Sequence, residues 1–401
     1  MGGILVTHPA RQHSHQLARA LFDRGNLHGY WTGVPAAEPN TKGPLYKLLA
    51  RLSPQPAVGL PARVVRHNYL VPLTWRLAGA MLSSPRAVAL RHWADARFDD
   101  WAAQRLPGDI QAVVCYENAA LDTFRVARER GITTILDAAS FHYAWQDDFY
   151  EPVEGDDVHE AINERKKEEI QHADHILTVS ELARESYLDA GVAPSRVTSV
   201  PMGADLSDFV PADNPSAADG PFTFLFAGHA GRRKGADLLL EASENLADTS
   251  ELDHLLQFAG GYDDGLFQQT TAPVETLGFL DHSALAEAFR RADCLVLPSR
   301  HDSFGRVVVE AMATGLPVLV SEHVGAKELV REGETGWVVP AEDITALTEQ
   351  MRWCLEHREQ LRQMSTAAAE TARQYSWEEY HERVSMVLKN VVNSRSLKVK
   401  K

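Results

Sequence analysis

Two carboxylates, Asp302 and Glu310, are the groups of this sequence whose types and spacing most clearly point to chemistry. Both fall in CLVLPSRHDSFGRVVVEAMATGLPVLVSEHVGAKELV, residues 294–330. Glu310 interrupts an otherwise apolar run, VVVEAMA, where a carboxylate must find donors or stay near water, because burying it bare is costly. The residues between the two acids read as a helix start. Free backbone N–H groups and a positive dipole end make such a start a site for phosphate. An acid beyond it can accept hydrogen bonds from sugar or ribose hydroxyls. A ligand carrying both phosphate and hydroxyls fits that pattern. The plainer alternative is a helix-surface Glu310 and a loop Asp302 that caps the helix.

The elements that must position these acids can be read around them. Cys294–Leu297 is a short apolar run stopped by Pro298-Ser299, as expected for a buried strand. Arg300–Gly305 is a polar loop closing on glycine. Arg306–Thr314 reads as a helix, with Gly315 as its stop and Pro317 just beyond. Val318–Val320 is the next strand. Strand, loop, helix and strand make a βαβ unit, and ligands of such sheets bind at the carboxyl ends of strands.

The segment PSRHDSFGRVVVEAMATGLPV resembles the donor-binding signature of the retaining glycosyltransferases of family 4, which have the GT-B fold. That signature is an acid, seven residues, Glu, then Ala-Met-Ala-x-Gly-x-Pro-Val. Glu310 matches the second acid; Asp302 stands where the first is usually Glu. The resemblance implies that Glu310 bonds the ribose of a nucleotide-sugar and that Asp302 lies against the donor sugar. It also implies that the backbone at Phe304 and Gly305 holds phosphate and sugar hydroxyls. Upstream, VSELARESYLDAGVAPSRVTSVPMGADLSDFVP is also family-like, as the last strand of the first domain passing to the hinge.

A second phosphate-binding element is expected in GHAGRRKGADLLLEA, which follows the apolar run Phe222–Ala227. A strand, glycines and a helix suggest an anion cradle. It is no Walker loop, since no Gly-Lys-Ser/Thr occurs. Gly228, Gly231 and Gly235 also lack the dinucleotide-binding spacing. It does resemble the family's phosphate-binding turn, with Gly228 at its start and Lys234-Gly235 matching the family's Lys-Gly. His229 stands where the family has Arg, a role that Arg232 or Arg233 can take. Cations there would stabilise charge developing on a departing diphosphate. Leu280, after the strand Val274–Phe279, is placed by the resemblance against the base.

In the first half, Ile4–Thr7 reads as a strand and Gln16–Phe22 as a helix. The loop between them carries His8, His13 and His15 where the family has paired glycines. Solvated or acceptor-facing histidines are expected, rather than a metal site. Ala112–Cys115 and Ile132–Leu136 are further strands. His142 lies just beyond the second, where the family commonly keeps a histidine near the donor sugar; packing among Phe141, Tyr143 and Trp145 is the alternative. Asn163–His172, NERKKEEIQH, reads as a solvated helix face.

Composition bounds the rest. A chain of 401 residues fits two domains, and 44% hydrophobic with 24% charged residues is a soluble globular balance. A net charge of −15 argues against general nucleic-acid binding. Cys115, Cys294 and Cys354 are far apart and in no ligand spacing, which fits a reducing cytosol. No apolar stretch is long enough to span a bilayer, and no secretory signal is visible. Residues 39–94 hold eight basic residues and no acid. This basic insertion suggests either contact with anionic lipid or an anionic acceptor, or charges paired with acids elsewhere.

The expected fold is α/β, with two Rossmann-like doubly wound domains facing a central cleft (GT-B). The first domain, 1–210, binds the acceptor, and 211–220 is a linker. The second, 221–375, binds the nucleotide-sugar, and 376–401 is a helix returning to the first. The expected activity is retaining transfer of a sugar from a nucleoside-diphosphate-sugar to an acceptor hydroxyl on a glycan, a lipid-linked or a small molecule. His142, Lys234 and Asp302 are the catalytic candidates. The co-substrate is the nucleotide-sugar, with no metal and no other cofactor. A cytoplasmic location is expected, with peripheral contact at the inner membrane face through 39–94. The alternatives are a non-catalytic sugar-nucleotide-binding protein, or a GT-B epimerase or phosphorylase.

Overall fold

The computed structural model describes residues 2–33, 59–68, 74, 84–149, 157–212, 220–249 and 252–398. Most of the basic insertion 39–94 and of the linker 211–220 therefore lies outside the described residues. The chain forms two compact units. One comprises Met1–Thr178, Arg184–Val200 and His381–Lys401, and the other Val179–Ala183 and Pro201–Tyr380. The division thus falls at Val200–Pro201 and Tyr380–His381, against the expected bounds of 210 and 376.

The first unit is built on seven parallel strands. These are β1 (Ile4–His8), β2 (Leu27–Thr32), β3 (Val65–His67), β4 (Ala112–Tyr116), β5 (Thr133–Ala138), β6 (His175–Thr178) and β7 (Val197–Ser199). Their order is β3-β2-β1-β4-β5-β6-β7, so the winding reverses between β1 and β4. Both β1 and β5 are buried along their whole length, as strands covered by helices on both faces must be. The helices are α1 (Ser14–Asp23), α2 (Ser84–Ala103), α3 (Leu121–Glu129), α4 (Tyr143–Asp147), α5 (Asp157–His172) and α6 (Glu181–Asp189).

The second unit has six parallel strands. They are β8 (Phe222–Ala227), β9 (His254–Ala259), β10 (Val274–Gly278), β11 (Cys294–Leu297), β12 (Val318–Ser321) and β13 (Gly336–Val339). The order is β10-β9-β8-β11-β12-β13, with the reversal between β8 and β11. Its helices are α7 (Ala236–Thr249), α8 (His282–Arg291), α9 (Arg306–Ala313), α10 (Ile344–Glu356), α11 (Arg358–Gln363) and α12 (Ser365–Arg373). The expected pair of doubly wound sheets is borne out.

A last helix, α13 (Trp377–Lys398), packs its larger part in the first unit. Tyr380, Val384, Leu388 and Val392 are buried at four-residue spacing, the stripe an amphipathic helix needs. His381 Nε2 lies 2.8 Å from Gln16 Oε1 of α1, and Arg395 reaches Asp174 and the Ile132 carbonyl.

From Ile344 onward the chain is helical with breaks at His357, at Met364 and near Ser376, giving four helices. Two expectations need correction. The first-loop histidines are not solvated: His8 and His13 are buried. Asn163–His172 is solvated on one side only, at Glu164, Lys167 and Gln171. Glu169 is fully buried and accepts the N–H groups of Asn118 and Ala120 at 2.8 and 3.0 Å. Arg165 joins Asp99 at 2.5 Å and Glu169 at 3.4 Å, tying α5 to α2 and to the loop after β4. Charges go inside here because each finds a partner.

Several histidines are held neutral by burial. His15 is lowered to about 3, and His142, His175 and His301 to about 4. An unfolded chain would bind protons at these sites from about pH 6.5 downward, and the folded chain would not. Their contribution to stability is therefore whole above pH 6.5 and is lost as the pH falls through about 4. Calorimetric melting between pH 7 and 4.5 is expected to show a falling Tm. The slope should flatten in His175→Gln, whose ring now meets Thr198 Oγ1 at 3.0 Å; an unchanged slope would count against this account.

Candidate functional site

The reversal point of the second sheet is where a ligand is expected, beyond the carboxyl ends of β8 and β11. Two loops meet there. One, Gly228–Gly235, leads from β8 to α7, with a 3-10 turn at Arg232–Lys234. The other, Pro298–Gly305, leads from β11 to α9. Gly235 has φ 70° and its backbone presses on the second loop: a Cβ there would sit 2.0 Å from the Pro298 carbonyl oxygen. Only glycine serves both the left-handed turn and the close approach.

Arg300 binds the two loops together. Its N–H donates to the Arg233 carbonyl at 3.0 Å, and its Nη1 donates to the Arg232 carbonyl at 2.6 Å. The guanidinium also forms a two-point pair with Asp237 of α7, both contacts 2.8 Å, and reaches Glu342 at 2.7 Å. Burial alone would lower the Arg300 pKa, but the Asp237 and Glu342 carboxylates more than offset it. Arg233 returns the contact, donating to the His301 carbonyl at 3.1 Å.

This clamp brings Lys234 and Asp302 into direct contact across 68 residues of sequence, with both side chains largely shielded from solvent. Behind them, α9 starts at Gly305, φ 85°, and no side chain caps it. Asp302 is thus not a helix cap. Helix α9 ends in a Schellman turn, with Gly315 N–H to the Met312 carbonyl at 2.9 Å and Leu316 N–H to Ala311 at 3.2 Å. Glu310 is not a surface residue either: it is 4% exposed and bonded to Arg306 Nε at 3.0 Å. Burial raises its pKa, against Arg306 and His282. Both plain alternatives for the two acids are therefore excluded.

The other expected residues fall as follows. Arg232 and Arg233 are exposed on the first loop, and Gly228 opens it with φ 128°. His229 pairs with Asp263 at 2.7 Å in the open. Phe304 is wholly buried, and its carbonyl is bonded by Ala326 N–H. Leu280 is half-buried in the turn between β10 and α8, beside Phe279, which is 93% exposed. His142 lies in the first unit, where its N–H donates to Ser186 Oγ at 2.9 Å and its Nδ1 accepts from Ala144 N–H at 3.2 Å. Burial and then Lys166 lower its pKa to about 4, so the ring is neutral. Among the described residues, no three metal-ligating side chains converge.

Arg300 is the residue that sequence reasoning passed over, and its place between Ser299 and His301 gave no signal of three distant partners. Arg300→Ala leaves the part-exposed Asp237 and Glu342 to solvent and the Arg232 carbonyl without its donor, and is expected to cost about 1.5–3 kcal/mol, the scale of a lost charge-assisted hydrogen bond. Urea denaturation checks this; a loss under 1 kcal/mol (about one surface pair) would contradict the clamp.

Residues 212–371 match the model of the family described as glycosyl transferases group 1. D-inositol 3-phosphate glycosyltransferase 1 of Catenulispora acidiphila is 31% identical over 223 residues, 50% of this chain and 53% of that protein. Phosphatidyl-myo-inositol mannosyltransferase of Mycobacterium leprae is 32% identical over 228 residues, 55% of this chain and 60% of that protein. The chain thus spans about half the length of the curated relatives it matches. Among solved structures, sucrose-phosphate synthase from Thermosynechococcus elongatus superposes with a TM-score of 0.65 at 20% identity, over 98% of this chain and 100% of that one. HepE of Anabaena, solved with UDP and glucose, gives 0.66 at 16% identity, over 97% and 100%. These likenesses establish the two-domain GT-B fold. Through residues 212–371, the chain is similar to the glycosyl transferases group 1.

Proposed function

We propose that this chain transfers a glycosyl group from a nucleoside-diphosphate-sugar to an acceptor hydroxyl, with retention at the anomeric carbon and without a metal ion. The observation that carries the reading is the meeting of Lys234 and Asp302 at the reversal point of the second sheet, with Glu310 buried on the helix that follows. A diphosphate leaving group gathers negative charge as the glycosidic bond breaks. Lys234, with Arg232 or Arg233, would take that charge, and the start of α9 at Phe304 and Gly305 would add backbone N–H groups.

Asp302, released from Lys234 as phosphate takes its place, would accept hydrogen bonds from donor-sugar hydroxyls. Glu310 would accept from the ribose, and Leu280 would lie against the base. His142 would meet the donor sugar or the surroundings of the attacking hydroxyl as a neutral ring. The relatives' names support a glycosyltransferase, and the UDP held by HepE supports a nucleoside-diphosphate donor. Retention rests on the likeness of residues 298–318 to the retaining signature.

Three experiments check the reading. Transfer from UDP-glucose assayed with EDTA present is expected to proceed, with the product's anomeric carbon, read by NMR, matching the donor's; loss of activity on chelation, or inversion, would contradict it. Lys234→Ala should lower turnover about 10²–10³-fold, the scale of one lost transition-state contact. Glu310→Ala should instead chiefly weaken UDP binding measured by calorimetry. Turnover of Lys234→Ala within a factor of about two of wild type would remove the assigned role.

A further inference from the structure

Glu310 is the one charge within VVVEAMA, and its neighbours Val308, Val309, Ala311, Met312 and Ala313 are buried with it. Burial of this extent favours the protonated form of a carboxyl group. A protonated carboxyl turns one of its two acceptor oxygens into a donor. An acceptor of ribose hydroxyls therefore needs a neighbour that holds it ionised.

Arg306, one turn earlier on α9, is placed to do so. Its Nε lies 3.0 Å from Glu310 Oε1, and its own side chain is 53% exposed. Helix stability does not account for this placement. A cation in the first turn opposes the helix dipole, and α9 has no acid there to offset it. An i,i+4 pair with the cation first is also the weaker of the two orders. What the placement supplies is a positive charge beside a carboxylate taken out of water.

The other charges around Glu310 do not replace it. Burial raises the Glu310 pKa, Arg306 and then His282 oppose the rise, and Asp205 adds to it. His282 opens α8, its ring centroid 5.7 Å from that of Phe209. Asp205 accepts from Ser207 Oγ at 2.8 Å and Ser207 N–H at 3.1 Å, bonds that lower its own pKa and keep it an anion. A guanidinium cannot be deprotonated in a protein, whereas an imidazole is a cation only when protonated. Among the described residues nothing bonds Glu310 Oε2, which leaves that oxygen to a ligand.

Resting on the reading of Glu310 as the ribose partner, we infer that Arg306 is a positioning residue of the donor site. It holds one oxygen of an ionised Glu310 so that the other faces the ribose hydroxyls. Arg306 acts through Glu310 and not on the diphosphate.

Calorimetric titration of the full chain with UDP between pH 6 and 8.5 tests this. A carboxyl group takes up its proton as the pH falls, and does so at a higher pH once Arg306 is gone. Arg306→Ala should therefore bind UDP about 10- to 100-fold more weakly than wild type at pH 6, with the deficit shrinking as the pH rises. Comparison at equal pH cancels the titration of UDP itself. Arg306→Gln keeps a hydrogen bond without charge and should follow Arg306→Ala, whereas Arg306→Lys should restore most of the affinity. Added to Glu310→Ala, Arg306→Ala should change the affinity less than about threefold. A deficit equal at every pH, an Arg306→Gln that binds as wild type does, or a full loss in the Glu310→Ala background would overturn the inference. So would a weakened Glu310→Ala beside an Arg306→Ala that binds UDP normally, which leaves the donor reading standing. Wild type that ignores UDP, or Glu310→Ala that binds it undiminished, sinks the donor reading and this inference with it.

Discussion

The second unit depends on two loops being held against each other where its sheet reverses direction. Chain direction alone would let the loops after β8 and β11 splay, because no ladder joins them beyond the strand ends. Gly235 permits backbone contact with Pro298, and Arg300 secures it through Asp237, Glu342 and the carbonyls of Arg232 and Arg233. A planar guanidinium suits this task, since its donors leave in fixed directions and cannot be lost by deprotonation. Everything assigned to the donor site hangs from that junction.

Electrostatics at the junction favour exchange over permanence. A shielded pair such as Lys234 and Asp302 adds little to stability, since the cost of removing both charges from water offsets their attraction. Such a pair can release its lysine to an incoming anion while the carboxylate turns to hydroxyls. Glu310 sits apart from this exchange, raised in pKa by burial and restrained by Arg306. The exposed Arg232, Arg233 and the His229–Asp263 pair surround the same loop. In the first unit, Arg165 pairs with Asp99 and Glu169, and His13 with Asp137.

Much of the second unit was legible because its central strands are short, mostly apolar and bounded by glycine or proline. Phe222–Ala227 and Cys294–Leu297 have the bounds read from sequence, and α9 ends within one residue of expectation. Strand β2 was not legible, since LHGYWT mixes His28 and Gly29 with aromatics and shows neither period. Helix α2 was hidden because the acid-free stretch drew attention to charge rather than pattern. The helix NERKKEEIQH misled in the other direction. A run of charges has the composition of a solvated face, and only partners distant in sequence, Asp99 for Arg165 and the Asn118 and Ala120 N–H groups for Glu169, turn these two inward. Arg300 failed to stand out for the same reason: the significance of a buried charge lies in what the fold brings to it.

The central claim is that the anion-binding groups of the second unit hold a nucleoside diphosphate. A crystal structure of the full chain grown with UDP tests it most directly. The account expects the terminal phosphate within hydrogen-bond distance of Lys234 Nζ and the ribose hydroxyls at Glu310, with Lys234 drawn away from Asp302. UDP seated elsewhere, or a site left with Lys234 still on Asp302 at saturating nucleotide, would contradict it.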